Sequence, residues 1–352
     1  MIAPMKEQNS SRTVENSSNC LCSGICGCNF DLDMNIKKAT SILFMQARVD
    51  EWTKKAFEAS VEGFLALIEE AKGVLEAEKE SRARRGLVCI SPQAVKNVVV
   101  VGDIHGDMNS LIHILRDIED QNTNMIVFLG DYGDRGSESV EVYYLLLKLK
   151  VYEWKEKEKK KKIILLRGNH EGPPDLPVTP HDLPLLFSAK YGAEGKAVYA
   201  EIKNLWEYLP YAVLIEGRYL MLHGGLPVNI TSIEDIAFAH ESHQASSDFE
   251  EMLWNDPIEG KGDFYSMRGA GRMFGEDVTE RVLRAVGVKT LIRSHEPCEG
   301  VEVRQRGKVL TLFSRKGSPY FNTQAAYLIL NENALREAKD AAELARSAAR
   351  IW

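Results

Sequence analysis

The chain has 352 residues, of which 44% are hydrophobic and 27% are charged, and its formal net charge is −7. This composition is typical of a globular protein with one large domain or two smaller ones. The acidic balance disfavours a general nucleic-acid-binding role, which would need a basic surface. Apolar runs are far shorter than the roughly 18 residues of a membrane span, and the first residues do not form a secretory signal. We therefore expect a cytoplasmic protein with neither a nucleic-acid partner nor a membrane partner.

Residues 1–33 form a first segment that is rich in Ser and Asn and poor in apolar residues. Four of the six cysteines of the chain lie here, at Cys20, Cys22, Cys26 and Cys28. Four thiolates can bind zinc, but the usual zinc pattern is two well-separated pairs of cysteines. Because the segment has little apolar surface to bury, we expect a disordered extension and assign no role to the cysteines.

Residues 34–86 are predicted to form a helical segment that packs on the core. From about residue 46 to residue 83, apolar side chains recur at helical spacing, with Glu and Lys between them. The recurring apolar residues are Val61, Phe64, Leu65, Ile68 and Leu75.

Residues 87–330 are predicted to form the main domain, because short apolar strands alternate there with helices and with loops rich in Gly and Pro. Within it, residues 140–154 have a helical pattern that runs into a charge block at residues 155–162. A solvated helix end explains this block better than a nucleic-acid-binding arm does. Residues 331–352 are rich in Ala, Glu, Lys and Arg and are predicted to form a C-terminal surface helix.

Four apolar runs in the main domain each end in side chains that can bind metals. The runs begin at Val98, Ile126, Ile163 and Tyr219, and their composition predicts buried strands. A side chain placed just after such a strand lies at the carboxyl edge of its sheet. If the four edges lie side by side, they gather two Asp, three His and one Asn into one pocket. These residues are Asp103, His105, Asp131, Asn169, His170 and His223.

The spacing of these groups suits a site for two metal ions. Asp103 and His105 are separated by one residue, so that on an extended strand end both side chains point to the same side and can bind one cation. Asp131 could bridge this cation to a second one. The other ligands of the second cation would be Asn169, His223 and His295. Mixed imidazole and oxygen ligands favour Mn, Fe, Zn or Co over Ca. Two ions about 3.5–4 Å apart can hold a shared water as hydroxide near neutral pH and clamp both oxygens of a displacement at phosphorus.

Two arginines and a His–Asp pair supply the other parts of a site for phosphate esters. Arg135 and Arg268 offer bidentate donors to phosphate oxygens. His170 follows Asn169 and can protonate a leaving alkoxide, while Asp134 can orient it and hold it charged. Any one of these residues alone is more often a turn cap or a satisfied polar group. Their joint occurrence in this order favours the site.

Four motifs carry a family resemblance: Gly-Asp-Ile-His-Gly at 102–106, Gly-Asp-Tyr-Gly-Asp-Arg-Gly at 130–136, Leu-Arg-Gly-Asn-His-Glu at 166–171 and His-Gly-Gly at 223–225. They resemble the motifs of the PPP family of serine/threonine protein phosphatases, within the calcineurin-like metallophosphoesterases. Residues 253–257 and the segment around Arg268 strengthen the resemblance, which covers roughly residues 87–330. It implies that this domain is catalytic and has an α/β metallophosphoesterase fold. In that fold a sandwich of two β-sheets is flanked by helices, with a dinuclear metal site on strand-end loops.

Carried over position by position, the resemblance implies a role for each site residue. The first metal would be held by Asp103, His105 and Asp131, and the second by Asp131, Asn169, His223 and His295. His170 would be the general acid, paired with Asp134. The phosphate would be bound by Arg135, Arg268 and Asn169, with Tyr320 in the place of the family's active-site tyrosine. The implied cofactors are two divalent ions, with manganese first and iron, zinc or cobalt as alternatives.

The chain also departs from the eukaryotic members of this family. Gly133 stands where they commonly carry valine, and Glu296 follows His295 where they carry glutamine. The loop that ends in Tyr320 is offset from their Ser-Ala-Pro-Asn-Tyr-Cys sequence, and residues 172–177 differ as well. These features suggest the archaeal and bacterial branch. Accordingly, no eukaryotic regulatory-subunit or toxin-inhibitor surface is predicted.

The predicted function is hydrolysis of phosphoserine and phosphothreonine in phosphoproteins by a hydroxide that bridges the two metals. One alternative is another phosphoesterase of the superfamily, such as a dinucleoside tetraphosphate hydrolase. Asp134, Glu171 and the Arg268 segment favour the phosphatase. A second alternative is a catalytically silent interaction module, which the complete ligand set disfavours.

Overall fold

The structure is a computed structural model that describes residues 47–118, 123–156 and 162–352. Three predictions lie wholly or partly outside these residues: the extension at 1–33 with its cysteines, the helical segment from 34 onwards, and the charge block at 155–162. Among the described residues, no helix has the length and apolar character that crossing a membrane requires.

Helices and strands alternate along most of the described chain. The helices, in chain order, are α1 (47–58), α2 (Val61–Ser81), α3 (Met108–Asp117), α4 (Ser139–Lys155), α5 (Leu183–Tyr191), α6 (Gly195–Trp206), α7 (Ile233–Ala237), α8 (Asp248–Trp254), α9 (Glu276–Ala285), α10 (Glu332–Arg336) and α11 (Ala341–Ser347). The strands, in chain order, are β1 (Leu87–Ile90), β2 (Val98–Val101), β3 (Met125–Phe128), β4 (Lys162–Leu165), β5 (Ala212–Ile215), β6 (Tyr219–Leu222), β7 (Asp256–Pro257), β8 (Asp263–Tyr265), β9 (Arg272–Phe274), β10 (Thr290–Arg293), β11 (Val301–Arg304), β12 (Val309–Leu312), β13 (Ala326–Leu330) and β14 (Ala349–Ile351).

The first two described helices cover one side of the domain. Ser60 separates α1 from α2 and caps α2, since its side chain accepts a hydrogen bond from the Gly63 amide at 3.1 Å. Phe64, Ile68 and Leu75 lie on the face of α2 that is buried against α4 and α6. Over the described residues the predicted helical segment forms two helices that pack on the core, with a break at Ser60 that the spacing did not reveal.

Two large sheets form the centre of the domain. In the first sheet the strand order is β14, β13, β2, β3 and β4, and β2, β3 and β4 are parallel. In the second sheet the order is β1, β5, β6, β10, β12 and β11, and β6, β10 and β12 are parallel. A small third sheet with the order β7, β9 and β8 was not predicted.

The two large sheets share an apolar core between them. Val98 and Val100 of β2 point into this core together with Met221 of β6. Val99 and Val101, on the other face of β2, belong to the core beneath the helices. Because β2 is buried on both faces, it is an unbroken apolar run rather than an alternating one, and each buried valine contributes about 1.5–3 kcal/mol. The predicted α/β fold, with two sheets flanked by helices, is confirmed.

The four predicted strand edges do not lie side by side in one sheet. The strands β2, β3 and β4 are neighbours in the first sheet, whereas β6, which precedes His223, pairs with β5 and β10 in the second. The four strand ends therefore meet across the two sheets rather than within one. An apolar run indicates that a strand is buried but not to which sheet it belongs.

The prediction of a single C-terminal helix at 331–352 is also wrong. The segment forms α10, then α11, and then β14, which pairs antiparallel with β13. Asn331 and Asp340 begin the two helices, because each side chain accepts a hydrogen bond from a backbone amide in the following turn. The first sheet therefore extends to Ile351, beyond the predicted domain boundary at residue 330.

Candidate active site

A cavity of about 700 Å³ opens at the carboxyl ends of β2, β3, β4 and β10. Eight of the predicted site residues line it: His105, Asp131, Arg135, Asn169, His170, Arg268, His295 and Tyr320. The other three, Asp103, Asp134 and His223, are fully buried and contact the lining residues. The structure therefore brings all the predicted site residues together.

Left-handed backbone conformations cluster at this cavity. Among the described residues other than glycine, eight have positive φ, and five of these are site residues with φ between 43° and 72°. The five are His105, Asp131, Asp134, Arg135 and His295. Such conformations cost about 1–3 kcal/mol each, so neighbouring contacts must hold them in place.

Glu171 provides several of those contacts. It is fully buried, and its carboxylate accepts hydrogen bonds from the amides of Asp131 at 2.8 Å and Gly168 at 3.1 Å. It also accepts from the Tyr132 amide at 3.1 Å and from the Tyr143 hydroxyl at 2.7 Å. These donors belong to the loops after β3 and β4 and to α4, so the carboxylate ties three elements together. In the sequence Glu171 is only a motif residue, and this role was not predicted.

Two glycines let these loops approach their neighbours closely. A Cβ atom on Gly168 would lie 2.3 Å from Oδ1 of Asp131. A Cβ atom on Gly133 would lie 2.7 Å from the Tyr143 ring and 2.8 Å from Leu183. The glycine that replaces the family's valine is therefore explained, since Tyr143 and Leu183 fill the space that a side chain at this position would need.

The first group of candidate metal ligands consists of Asp103, His105 and Asp131. The Nδ1 atom of His105 donates to the Gly133 carbonyl at 3.0 Å, because a carbonyl can only accept. In the neutral imidazole this leaves the lone pair on Nε2, which lies 3.4 Å from Asp103 Oδ2 and 3.3 Å from Asp131 Oδ2. Asp103 Oδ2 is buried and has no hydrogen-bond partner. Carboxylate oxygens and an imidazole nitrogen thus converge here, an arrangement that a bound cation would satisfy.

The second group shares Asp131 and adds Asn169, His223 and His295. The Nδ1 atom of His223 donates to the Leu129 carbonyl at 3.0 Å, which leaves its Nε2 atom as an acceptor. This Nε2 lies 2.9 Å from Asn169 Oδ1 and 3.4 Å from Asp131 Oδ1. His295 Nδ1 lies 3.1 Å from the same Asn169 oxygen, and His295 Nε2 is buried without a partner. If the Asn169 amide is rotated by 180°, its nitrogen donates to His295 Nδ1, His223 Nε2 and the Asp131 carboxylate. If the amide oxygen faces the imidazole nitrogens, these atoms can bind a cation together.

Burial determines the charges of these groups. Burial and the nearby carboxylates of Asp103 and Glu171 raise the pKa of Asp131 well above its usual value. Burial lowers the pKa of His223 to about 4, so its imidazole is neutral at neutral pH. Neutral imidazoles and oxygen atoms suit divalent first-row metals, and a cation would keep the crowded carboxylates ionised. The residues present therefore fit two divalent ions.

Ser294 links the two large sheets at this site. Its Oγ accepts from the Asp103 amide at 2.9 Å, and its hydroxyl donates back to the Asp103 carboxylate. The His295 amide donates to the same carboxylate at 3.1 Å. Because Asp103 follows β2 and Ser294 follows β10, these bonds hold the ligand loops of the two sheets together. Ser294 is not among the site residues predicted from the sequence.

His170 and Asp134 form a hydrogen-bonded pair beside the two ligand groups. The Nδ1 atom of His170 donates to Asp134 Oδ2 at 2.8 Å, and its Nε2 atom lies 3.9 Å from Asp131 Oδ2. Burial opposes ionisation of Asp134, but hydrogen bonds from His170 and His181 outweigh it and keep the pKa below its usual value. Burial lowers the pKa of His170 to about 3 despite this pairing. The carboxylate is therefore ionised and the imidazole neutral.

A second histidine, His181, also donates to Asp134 Oδ2, at 2.6 Å. The backbone amide of Asp182 donates to the other oxygen, Oδ1, at 2.6 Å. The contact of His181 with Asp134 was not predicted from the sequence. His181 lies in a loop where the chain departs from the family, and no periodic pattern or motif surrounds it.

Arg135, Arg268 and Tyr320 complete the lining of the cavity. Arg268 lies between β8 and β9, and its Nε atom donates to Asp256 Oδ2 at 2.7 Å. The buried Arg293 donates to the other Asp256 oxygen at 2.9 Å and so fixes the carboxylate that orients Arg268. The Tyr320 ring lies 5.4 Å from the ring of a ligand candidate, His105, between centroids. Despite its offset loop, Tyr320 thus reaches the cavity.

Comparison with known sequences relates most of this domain to one family. Residues 96–299 match the family model described as calcineurin-like phosphoesterase. A probable serine/threonine-protein phosphatase of Encephalitozoon cuniculi is 33% identical over 247 residues, which are 67% of this chain and 50% of that protein. The chain thus spans about half the length of this curated relative.

Comparison with solved structures gives the same fold. A protein serine/threonine phosphatase of Saccharomyces cerevisiae superposes with a TM-score of 0.67 at 26% identity, covering 83% of this chain and 89% of that one. A cold-active protein tyrosine phosphatase superposes with a TM-score of 0.50 at 21% identity, covering 70% of this chain and 76% of that one, and is a likeness of fold alone. Both serine/threonine phosphatases are from eukaryotes, so they give no support to an archaeal or bacterial branch.

Proposed function

The chain belongs to the calcineurin-like phosphoesterase family, and on that premise we propose that it is a metal-dependent serine/threonine protein phosphatase. The observation that carries the proposal is the His170–Asp134 pair, 2.8 Å apart, beside converging metal ligands in one cavity. Hydrolysis of a phosphate monoester needs an acid for the leaving group, an activated water and positive charge near the phosphate. The named relatives support phosphoserine and phosphothreonine in proteins as the substrates.

We assign the metal ligands to two overlapping sets. One ion would be held by Asp103, His105 and Asp131, and the other by Asp131, Asn169, His223 and His295. The buried Asp103 Oδ2 atom, which has no hydrogen-bond partner, supports this assignment. When bound, two divalent ions activate water near neutral pH and neutralise charge at phosphorus. We propose manganese first, with iron, zinc and cobalt as alternatives, because the ligands are imidazole, carboxylate and amide groups.

Arg135, Arg268 and Asn169 are proposed to bind the phosphate oxygens. A guanidinium group offers several donors in one plane, which suits a phosphate. Asp256 engages Nε of Arg268, which leaves the terminal amino groups of that side chain for the substrate. Tyr320, beside His105, would also contact the phosphate.

His170 is proposed as the general acid. Its Nε2 would protonate the leaving oxygen of serine or threonine, while Nδ1–H stays bonded to Asp134. Burial keeps the free imidazole neutral, with a pKa of about 3. The negative charge of a bound phosphoester would raise this pKa, so the acid form would arise with the substrate in place. A phosphoprotein partner and a cytoplasmic location go with this proposal.

An activity panel tests the proposal. Phosphoserine, phosphothreonine and phosphotyrosine peptides and a dinucleoside tetraphosphate would each be assayed with Mn²⁺, Fe²⁺, Co²⁺, Zn²⁺ and Mg²⁺. We expect hydrolysis of the first two peptides, fastest with Mn²⁺, and loss of activity on chelation. Faster turnover of the dinucleoside tetraphosphate would contradict the substrate class. Undiminished turnover by chelator-treated protein would contradict the metal dependence.

A further inference from the structure

We propose that His181, held by Tyr199, is a positioning residue for the general acid His170, and that it acts through the carboxylate of Asp134. The inference rests on the proposed function, because it assigns His181 a role relative to that acid. Neither His181 nor Tyr199 belongs to the motifs by which the family is identified.

Four donors surround the buried carboxylate of Asp134. Oδ2 accepts hydrogen bonds from Nδ1 of His170 at 2.8 Å and from Nδ1 of His181 at 2.6 Å. Oδ1 accepts from the backbone amides of Asp182 at 2.6 Å and Arg135 at 3.1 Å. Because His181 and Asp182 are consecutive, a single loop holds both oxygens and fixes the plane of the carboxylate.

His181 is itself held on its other side. Its Nε2 atom lies 2.7 Å from the Tyr199 hydroxyl, and Tyr199 belongs to α6. The Tyr199 ring packs against the buried Phe187, with 5.7 Å between ring centroids. A continuous chain of hydrogen bonds therefore runs from Tyr199 through His181 and the carboxylate to His170.

This group is better explained as a hydrogen-bonded chain than as a third metal site. Ligand atoms of Asp134, His170 and His181 do lie within 4.8 Å of one another. However, the separations of 2.8 and 2.6 Å are hydrogen-bond distances, and each Nδ1 needs a proton to donate to an ionised carboxylate. The second nitrogen of His181 is engaged by Tyr199.

Loss of the His181 side chain would remove one of the two donors to Asp134 Oδ2. It would also open that side of the carboxylate to water, since the His181 side chain is 26% exposed. The carboxylate could then rotate, and His170 would no longer be aimed at the leaving oxygen. Misalignment of the general acid lowers the rate of hydrolysis most when the leaving group needs a proton, as the alkoxide of serine does. The rate falls little when the leaving group is nitrophenolate, which departs without a proton.

The test compares hydrolysis of a phosphoserine peptide and of p-nitrophenyl phosphate by the manganese-loaded full chain. For His181→Ala we expect kcat on the peptide to fall about 10–100-fold, as it does when a group that orients a functional residue is lost. On p-nitrophenyl phosphate we expect less than about a threefold fall, with KM and metal content unchanged. His181→Asn should recover most of the peptide activity, because its amide nitrogen can occupy the position of Nδ1.

Two tyrosines provide a matched pair of variants. Tyr199→Phe removes the hydroxyl that holds His181 and should lower kcat on the peptide about 3–10-fold, the worth of one hydrogen bond. Tyr191→Phe is the control, because the Tyr191 hydroxyl is buried without a hydrogen-bond partner, and neither substrate should be affected. If His181→Ala fails to fold, His181→Gln replaces it, since glutamine fills similar space but places its amide toward Tyr199.

Equal losses on both substrates, or no loss on the peptide, would overturn the inference and leave His181 a structural residue. His170→Asn is the reference variant and should show the same preference for loss on the peptide, more strongly. If His170→Asn loses activity equally on both substrates, or the unaltered protein hydrolyses neither, the proposed general acid itself fails. In that case the role of His181 falls with it.

Discussion

The floor and the rim of the cavity are built from different kinds of structure. The floor is the set of candidate metal ligands, each at most 6% exposed and placed just after a strand: Asp103, His105, Asp131, Asn169, His223 and His295. The rim consists of the lining segments 175–179, 268–270 and 319–320, which lie on loops and are mostly exposed. On the proposed function, the reacting groups would lie on the buried floor and the protein substrate would meet the exposed rim.

The two regions also differ in what holds them. The floor is fixed by buried polar groups such as Glu171 and Ser294, each with several hydrogen bonds to the ligand loops. The rim is held by contacts between side chains, such as the contact of Asp175 with Nε2 of His243 at 3.1 Å and the ion pair of Arg268 with Asp256 at 2.7 Å. Substitutions on the floor should therefore remove metal or turnover, whereas substitutions on the rim should change substrate binding.

The largest expected effect is that of Asp131→Asn. Asp131 faces both ligand groups, so the loss of its charge should empty both metal positions. We expect kcat on a phosphoserine peptide to fall at least about 1,000-fold, because metal ions supply several kcal/mol to such reactions. His223→Ala should behave similarly. Elemental analysis of the purified variants measures the metal, and full occupancy in Asp131→Asn would contradict the assignment of the floor.

His170→Ala should show whether His170 acts as a general acid or as a metal ligand. His170 borders the floor, but its Nδ1 is bonded to Asp134 rather than directed at a metal position. We expect metal content to be unchanged and kcat on the peptide to fall about 10²–10⁴-fold, the usual contribution of a general acid. The same elemental analysis and a steady-state assay check both expectations. A metal-free His170→Ala variant would contradict the assignment of His170 as the general acid.

Arg268→Ala tests the rim. If its guanidinium binds phosphate in the ground state and in the transition state alike, its loss should raise KM about 10–30-fold and change kcat by less than about threefold. Arg272→Ala is the matched control, because Arg272 lies in the same hairpin, pairs with Asp263 at 2.6 Å and does not line the cavity. An unchanged KM in Arg268→Ala, or an equal change in both variants, would count against the assignment.

The smallest effect concerns the loop after β3, which carries Asp131 and Gly133. Gly133→Val restores the residue common in eukaryotic relatives, but its side chain would overlap Tyr143 and Leu183. We expect the free energy of unfolding to fall by about 1–3 kcal/mol, the usual cost of overpacking. Chemical denaturation measures this change, and Leu183→Ala in the same chain should relieve part of it. A stability equal to that of the unaltered protein would show that the loop can adjust.

Much of the floor could be predicted because its ligands follow apolar runs. The run from Val98 to Val101 is buried on both faces, so the chain pattern alone indicates a central strand with Asp103 at its edge. The partner strands could not be predicted in the same way. Nothing in the run from Tyr219 to Leu222 distinguishes a neighbour of β4 from a strand of the opposite sheet.

The supports of the floor could not be predicted, because they act between distant parts of the chain. Ser294 contacts Asp103 across 191 positions, and His181 reaches Asp134 across 47. A single serine or histidine in a loop carries no periodicity and no motif, so its partner becomes visible only when the loops are folded together. The same holds for β14, whose pairing with β13 gives the C-terminus an edge strand instead of the end of a helix.

Hydrolysis is proposed to depend on two divalent ions held by the floor. The most direct measurement is a titration of chelator-treated protein with Mn²⁺, in which bound metal and phosphate release from a phosphoserine peptide are followed in the same samples. We predict no turnover without metal and activity that saturates at two ions per chain. Full activity with no bound ion, or two bound ions without hydrolysis of the peptide, would contradict the account.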